Sequence, residues 1–566
     1  MFILRYNIFN KHTMSTSLTV AYFSMEIGLE SGIPTFAGGL GVLAGDLMRS
    51  AADLGVSAAC ITGCWRFGYL QQSLNPDGTQ NYLQVPWDPR KKLEKLAQKI
   101  TVKVEGRDVR VGCWKLSLSG RKSSVPIYFL DTNLPENRME DRNITKDLYG
   151  GDLAQRIRQE IVLGIGGVRM LRALGYTEIA NFHLNEGHCA FLTLELLRER
   201  DFKDEDVKPS CAFTTHTPIA AGHDVFPYDL AWRIAGDQLP WHIKKLAGEQ
   251  DLSMTRLAMN MSHTTFGVSR VHGQVSQRLL GNAGVDYITN GVHHEKWTCH
   301  EMRHLFDARI PGWREKPALL DAHCRDLTDE ELWKAHMEVK KRLIDAVNAQ
   351  TEGGFDPDRL TIVSARRIVP YKRPELLYTN LERLRDIAKG KVQIIHAGNA
   401  HPNDSFSQGV IRSIIERSKA LRNDVKITYL SNYNPDLAKL LTAGADVWLN
   451  TPTRLLEASG TSGMKACLNG VLNLSTLDGW WIEGYERDPE AGWRIGPLAS
   501  ALDQEDTRQI DAEDLYTQLQ YEVIPEFEFP GRERWIRRMK RAIGLMGTFN
   551  SHRCVEEYIG KAWTNV

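Results

Sequence analysis

Short apolar runs alternate with longer amphipathic stretches along nearly the whole chain, and that order is what parallel sheets with crossover helices require. LTVAYFSMEI (18–27) reads as a strand. A glycine-rich turn, FAGGLGVLAGDL (36–47), follows and opens a helix through DLMRSAADLG, and VSAACITG (56–63) is the next strand. IRQEIVLGIGGVRMLRALG (157–175) has the period of a long amphipathic helix, and CAFTTHT (211–217) runs from strand into loop. The pattern breaks at TEGGFDPDRL (351–360), where two glycines and a proline separate a helical stretch from the strand-like LTIVSA (360–365). VQIIHAG, VKITYL and ADVWLN then repeat the theme. With 566 residues the chain exceeds what one core organises. The expected fold class is α/β: two doubly wound, Rossmann-like domains facing a central cleft, with ligands beyond the carboxyl ends of the strands. The expected divisions are a flexible extension over 1–17 (Met14 serving as a second start), a first domain over 18–355 and a second over 356–566.

Lysine plus arginine equals aspartate plus glutamate, 70 against 70, so the overall balance calls for neither nucleic acid nor an acidic membrane. No apolar run reaches the roughly 20 residues that span a bilayer. The opening MFILRYNIFNKHTM lacks the sustained apolar stretch and small-residue cleavage site of a leader. Nine scattered cysteines make no disulfide framework, and Cys60 and Cys64 are spaced too widely for a CxxC pair. Buried thiols in a reducing, cytoplasmic compartment are expected.

Three segments carry chemistry. Gly38-Gly39-Leu40-Gly41 lies between a strand and a helix, where bare backbone and a helix N-terminus can meet an anion, although a tight turn needs the same residues. Ala44 takes the place of the last glycine of a dinucleotide fingerprint. Arg366-Arg367 and Lys372-Arg373 follow the first strand of the second half, at a strand end suited to phosphate, with a solvated charge run as the alternative. In EASGTSGMK (457–465), small and hydroxyl residues lead into a helix with Lys465 close behind. That lysine could pair with phosphate, form a Schiff base with a carbonyl cofactor, or stand on the surface after a helix cap. His300-Glu301-Met302-Arg303-His304 fits the H-E-x-x-H zinc spacing but has no HxxGxxH continuation, and no metal site is expected.

Together these segments resemble the α-glucan (glycogen and maltodextrin) phosphorylases in their short form, from about Ala21 to the region of Trp481. The resemblance implies the GT-B-type glycosyltransferase architecture, with glucan bound by the first domain and pyridoxal 5′-phosphate and phosphate held by the second. EASGTSGMK, followed by CLNG and TLDG, is similar to the family's cofactor signature. It implies that Lys465 is the Schiff-base lysine and that Thr461 faces the cofactor's phosphate. RRIVPYKR resembles the phosphate-handling segment, implying that Arg367 and Lys372 hold the substrate phosphate and that Arg366 faces the cofactor. GGLG resembles the glycine loop, with Gly38 and Gly39 toward the cofactor and Leu40 and Gly41 toward the substrate.

Further matches line the implied sugar site. THTP gives His216, counted with Arg367 and Lys372 among the catalytic groups, and TNG gives Asn290. Tyr433, Glu457, Ser459 and Gly460 would surround the sugar's hydroxyls, and LNEGH would place Asn185, Glu186 and His188 near the glucan. Ala37, Val369, Pro370 and Asn399 depart from the commoner pattern without removing a group assigned to catalysis. The chain is shorter than the animal and plant enzymes, so the regulatory sites of the long forms are not expected. The implied reaction is reversible phosphorolysis of terminal α-1,4 bonds of glycogen or maltodextrin, giving α-glucose 1-phosphate. A nucleotide-sugar-dependent glucan synthase and a non-catalytic glucan-binding regulator are the alternatives, and Lys465 discriminates against the synthase. The sequence leaves the oligomeric state open, a homo-oligomer included.

Overall fold

The computed structural model describes residues 17–67, 71–281, 283–351, 353–498 and 507–563. The expected extension, Met14 included, lies outside the described residues except for Ser17, which begins the first strand.

Two large sheets organise the chain. The first has nine strands: β1 (Ser17–Ser24), β2 (Ala58–Gly63), β3 (Glu94–Val104), β4 (Arg107–Ser119), β5 (Ser124–Asp131), β6 (Glu178–Asn185), β7 (Cys211–Thr214), β8 (Thr264–Gly267) and β9 (Val285–Tyr287). Their order is β9-β8-β7-β6-β1-β2-β5-β4-β3. Seven strands run parallel, and the β3–β4 hairpin joins antiparallel at one edge. Both faces of the parallel part are covered, so its strands are apolar on both sides. Within β1, Phe23 packs into one core and Tyr22 into the core on the opposite face. The order reverses between β1 and β6, which places the loops after Ser24 and Asn185 at a crevice.

The second sheet has six parallel strands: β10 (Leu360–Ala365), β11 (Val392–Ala397), β12 (Lys426–Leu430), β13 (Val447–Asn450), β14 (Leu472–Thr476) and β15 (Gly492–Ile495). The order β12-β11-β10-β13-β14-β15 is the 3-2-1-4-5-6 arrangement of a doubly wound sheet, so its crevice opens between β10 and β13. The apolar runs read as strands in each half lie on these two sheets.

The predicted helix over 157–175 is realised from Leu153 to Ala173, with a π-helical turn at Val162–Gly166. Glycine is needed there because a Cβ on Gly164 would come within 2.5 Å of the Leu192 backbone nitrogen. All nine cysteines are free, and all but the half-buried Cys299 are buried. No helix among the described residues is long and apolar enough to cross a membrane.

The last helix, Ser551–Lys561, does not stay with the second sheet. It returns to the first body, where Cys554, Val555, Tyr558, Ala562 and Trp563 join the core with Tyr22, Leu47 and Phe129. Trp563 stacks on Tyr558 and donates from its indole to His183 on β6. The chain crosses back at Asn550, which packs so closely on Gly291 that a Cβ there would lie 2.3 Å from the Asn550 carbonyl.

Candidate active site

At the carboxyl end of β1, Glu26 shapes the glycine loop. Its Oε2 accepts the N–H groups of Ala37 (2.6 Å) and Gly38 (3.0 Å), and its Oε1 accepts the Tyr149 hydroxyl (2.9 Å). The helix Gly39–Leu54 begins there with no side chain capping it, so its first N–H groups point out of the loop. A Cβ on Gly38 or Gly39 would meet nothing within 4 Å, whereas one on Gly41 would fall 2.6 Å from Glu26 Oε2. Gly41 is therefore required by the protein's own packing. Gly38 and Gly39 leave open space over the backbone, the room an anion needs.

Across the same crevice stands the segment Asn185–His188. Ser24 Oγ donates to the Glu26 carbonyl and so accepts from Asn185 Nδ2, leaving Asn185 Oδ1 to accept from His216 Nε2 at 2.6 Å. Burial holds His216 down at about 4, with Glu186 opposing, so the imidazole is neutral near pH 7. Glu186 adopts a left-handed backbone (φ 77°) and accepts from the His216 N–H, the Thr217 hydroxyl and the Gly187 N–H. His188 packs its ring on Tyr149 and points Nε2 at Asp224, 3.3 Å away.

In the second body, Arg366 is buried after β10, donates to the Leu449 carbonyl on β13, and is pulled down to about 10 by burial. Arg367 is exposed. Lys372 pairs with Glu457 across the β10/β13 crevice. Asp478 Oδ2 accepts the Glu457 N–H at 2.8 Å, and burial raises Asp478 to about 7. Tyr433 is pushed up to about 12 by burial, and its carbonyl accepts from Asn399. Ser459 Oγ is buried without a partner, a hydroxyl ready for a polar ligand. Gly460 has φ 80°, and Thr461 precedes the helix Ser462–Cys467 that carries Lys465.

Lys465 brings the two bodies together. Its Nζ lies 3.9 Å from the centre of the Trp297 ring, and burial lowers it to about 8 despite nearby Asp46. Asp46, on the helix behind the glycine loop, accepts from the His293 N–H and Trp297 Nε1 and pairs with Lys296 at 2.8 Å. Ser269 Oγ donates to the Ala458 carbonyl, fixing the 457–461 loop to the first body. Asn290, nearly buried, bonds through its N–H to the neighbouring Val268 carbonyl. The sites expected from the sequence thus fall on the facing carboxyl ends of both sheets. Glu26, Asp46, Trp297 and Asp478 were given no role, although Asp46 and Asp478 stand inside the segments FAGGLGVLAGDL and TLDG.

His300 and His304 lie on one helix with ring centroids 4.0 Å apart. Among the described residues the three-member group with metal-ligand spacing is instead Asp53, His293 and His552. His293 Nδ1 accepts the Lys296 N–H, which puts the proton on Nε2, 2.9 Å from Asp53. That arrangement suits a carboxylate and opposes a cation.

The two doubly wound sheets, with the family matches that follow, make this a glycosyltransferase of the GT-B type. The family described as carbohydrate phosphorylase matches residues 233–517, and the starch synthase catalytic domain matches 27–289. The maltodextrin phosphorylase of Thermococcus litoralis is 37% identical over 96% of this chain and 70% of its own length. The glycogen phosphorylase of Mycobacterium tuberculosis is 34% identical over 95% and 70%. That of Aquifex aeolicus is 34% identical over 99% and 88%. The chain belongs to the carbohydrate phosphorylase family, in its α-glucan branch.

Proposed function

We propose that this α-glucan phosphorylase splits terminal α-1,4 bonds of glycogen or maltodextrin with inorganic phosphate, with pyridoxal phosphate held at Lys465 and the glycine loop. The observation that carries the reading is the buried Lys465 amine, lowered to about 8 beside the flat Trp297 ring, with Asp46 of the helix behind the glycine loop nearby. A lowered amine favours condensation with a carbonyl. Thr461, Arg366, Gly38 and Gly39 are the other groups assigned to the cofactor, which when bound would supply a phosphate able to exchange a proton with the substrate phosphate.

The chain's own residues do the rest. Arg367 and Lys372 bind phosphate, with Leu40 and Gly41 beside it. Because Lys372 pairs with Glu457, phosphate and sugar recognition are linked through one ion pair. Glu457, Ser459, Gly460, Asn290 and Tyr433 meet the sugar, and Asn185, Glu186 and His188 the glucan. His216, kept neutral, adds no positive charge where an oxocarbenium-like state develops. The first body (18–355) serves the glucan and the second (356–566) the cofactor and phosphate, with the last helix lying on the first body. The proposed compartment is the cytoplasm. The starch-synthase match keeps a nucleotide-sugar reaction as the second reading. Incubation with maltodextrin and phosphate should release α-glucose 1-phosphate, and borohydride should fix the cofactor on Lys465. Chain extension supported only by a nucleotide-diphosphate glucose would overturn the proposal.

A further inference from the structure

The loop after β10 carries Arg367 and Lys372, and the loop after β13 carries Glu457 and Ser459. Their separation decides whether Lys372 and Glu457 face one another. Arg373 bridges these loops from beneath. Its Nε donates to the Thr451 carbonyl (2.9 Å), and its Nη2 donates to the Pro452 carbonyl (2.9 Å) and to Asp511 Oδ2 (2.7 Å). The second loop replies, since Thr451 Oγ1 donates to the carbonyls of Lys372 (3.1 Å) and Arg373 (2.9 Å), and the Thr453 N–H to that of Tyr371 (2.6 Å).

Asp511 reaches this place from the helix Arg508–Gln518, remote in sequence from both loops. It is fully buried and also accepts the Thr507 hydroxyl at 2.7 Å, with Arg454 3.6 Å away. Arg373 is itself buried and held at φ 43°, ψ 51°, a left-handed conformation that glycine adopts without cost. An arginine at such a position is explained by its side chain. A rigid planar fork sets several acceptors in fixed relation, which an ammonium or an aliphatic chain cannot do.

We propose that Arg373 and Asp511 are positioning residues that lock the phosphate loop to the Glu457 loop and thereby place Lys372. The inference rests on the assignment of Lys372 to phosphate. It is tested with Arg373→Lys, Asp511→Asn and the double variant Arg373→Met/Asp511→Leu, which removes both buried charges together and avoids stranding one. Phosphate and maltodextrin are varied separately in the kinetics, maltodextrin binding is measured without phosphate, and melting temperature is followed throughout. The expected result is a rise in phosphate KM or a fall in kcat of about tenfold or more, the loss of one charge-assisted contact. It should appear in Arg373→Lys and in the double variant, with maltodextrin affinity kept and the double variant folded. A folded double variant with wild-type phosphate kinetics, or single-variant losses that match only the fraction unfolded, would overturn the clamp. Wild-type enzyme run alongside separates the two readings. Wild type without phosphorolysis overturns the functional assignment and the clamp with it, whereas active wild type with unaltered variants overturns the clamp alone.

Discussion

Lys465 shows how one residue's chemistry is set by its neighbours. Burial lowers its amine, Asp46 works in the opposite direction and Lys296 adds to the lowering, and together they leave it at about 8. The neutral, nucleophilic form is then half populated near pH 8, well below the usual 10.4 of a lysine. Loading of apoprotein with pyridoxal phosphate should accelerate as pH rises through about 8 and level off above it. A stopped-flow absorbance titration measures this, and a midpoint near 10 would show that the pocket does not tune the amine. The same shift carries a stability consequence. Between about pH 8 and the unfolded value the unfolded chain holds more protons at this site, so this group's contribution to stability rises with pH there.

At the scale of elements, the glycine loop and the helix it opens divide their glycines by role. Gly39→Ala adds a methyl that meets nothing in the protein, and alanine favours a helix start over glycine. Melting temperature should hold or rise, while the Kd for pyridoxal phosphate, measured by loading of apoprotein, increases by about tenfold or more as the helix N-terminus loses close approach to an anion. Gly41→Ala meets Glu26 and Phe36 and should cost about 1–3 kcal/mol in denaturant unfolding. Equal effects of the two substitutions would erase the distinction. These elements were legible because apolar runs such as LTIVSA and ADVWLN are buried on both faces, and such strands announce themselves by composition. The β3–β4 hairpin was not, since half of Glu94–Val104 faces solvent and its lysines and glutamate hide the alternation. The π-turn at Val162–Gly166 left no mark either, because one widened turn barely shifts a 3.6-residue period. In the site, motifs drew attention to whole segments, and the carboxylates Glu26, Asp46 and Asp478, whose hydrogen bonds shape those segments, carried no signal of their own.

On the scale of the whole molecule, the second half of the chain completes the first. Trp563 is buried against Tyr558 and His183. Trp563→Ala should cost about 3–5 kcal/mol, read from denaturant unfolding monitored on the first body. A cost below about 1 kcal/mol, typical of a surface change, would mean that the last helix merely rests there. The return of this helix also sets a clock on biosynthesis. Domains usually fold as they leave the ribosome, N-terminal first. Here the surface formed by Tyr22, Leu47 and Phe129 waits for residues 551–563, which emerge only after the whole second sheet has been made. The nascent first body must carry an open apolar face through the synthesis of everything between, and a chaperone that shields it until that helix arrives has a defined patch to hold.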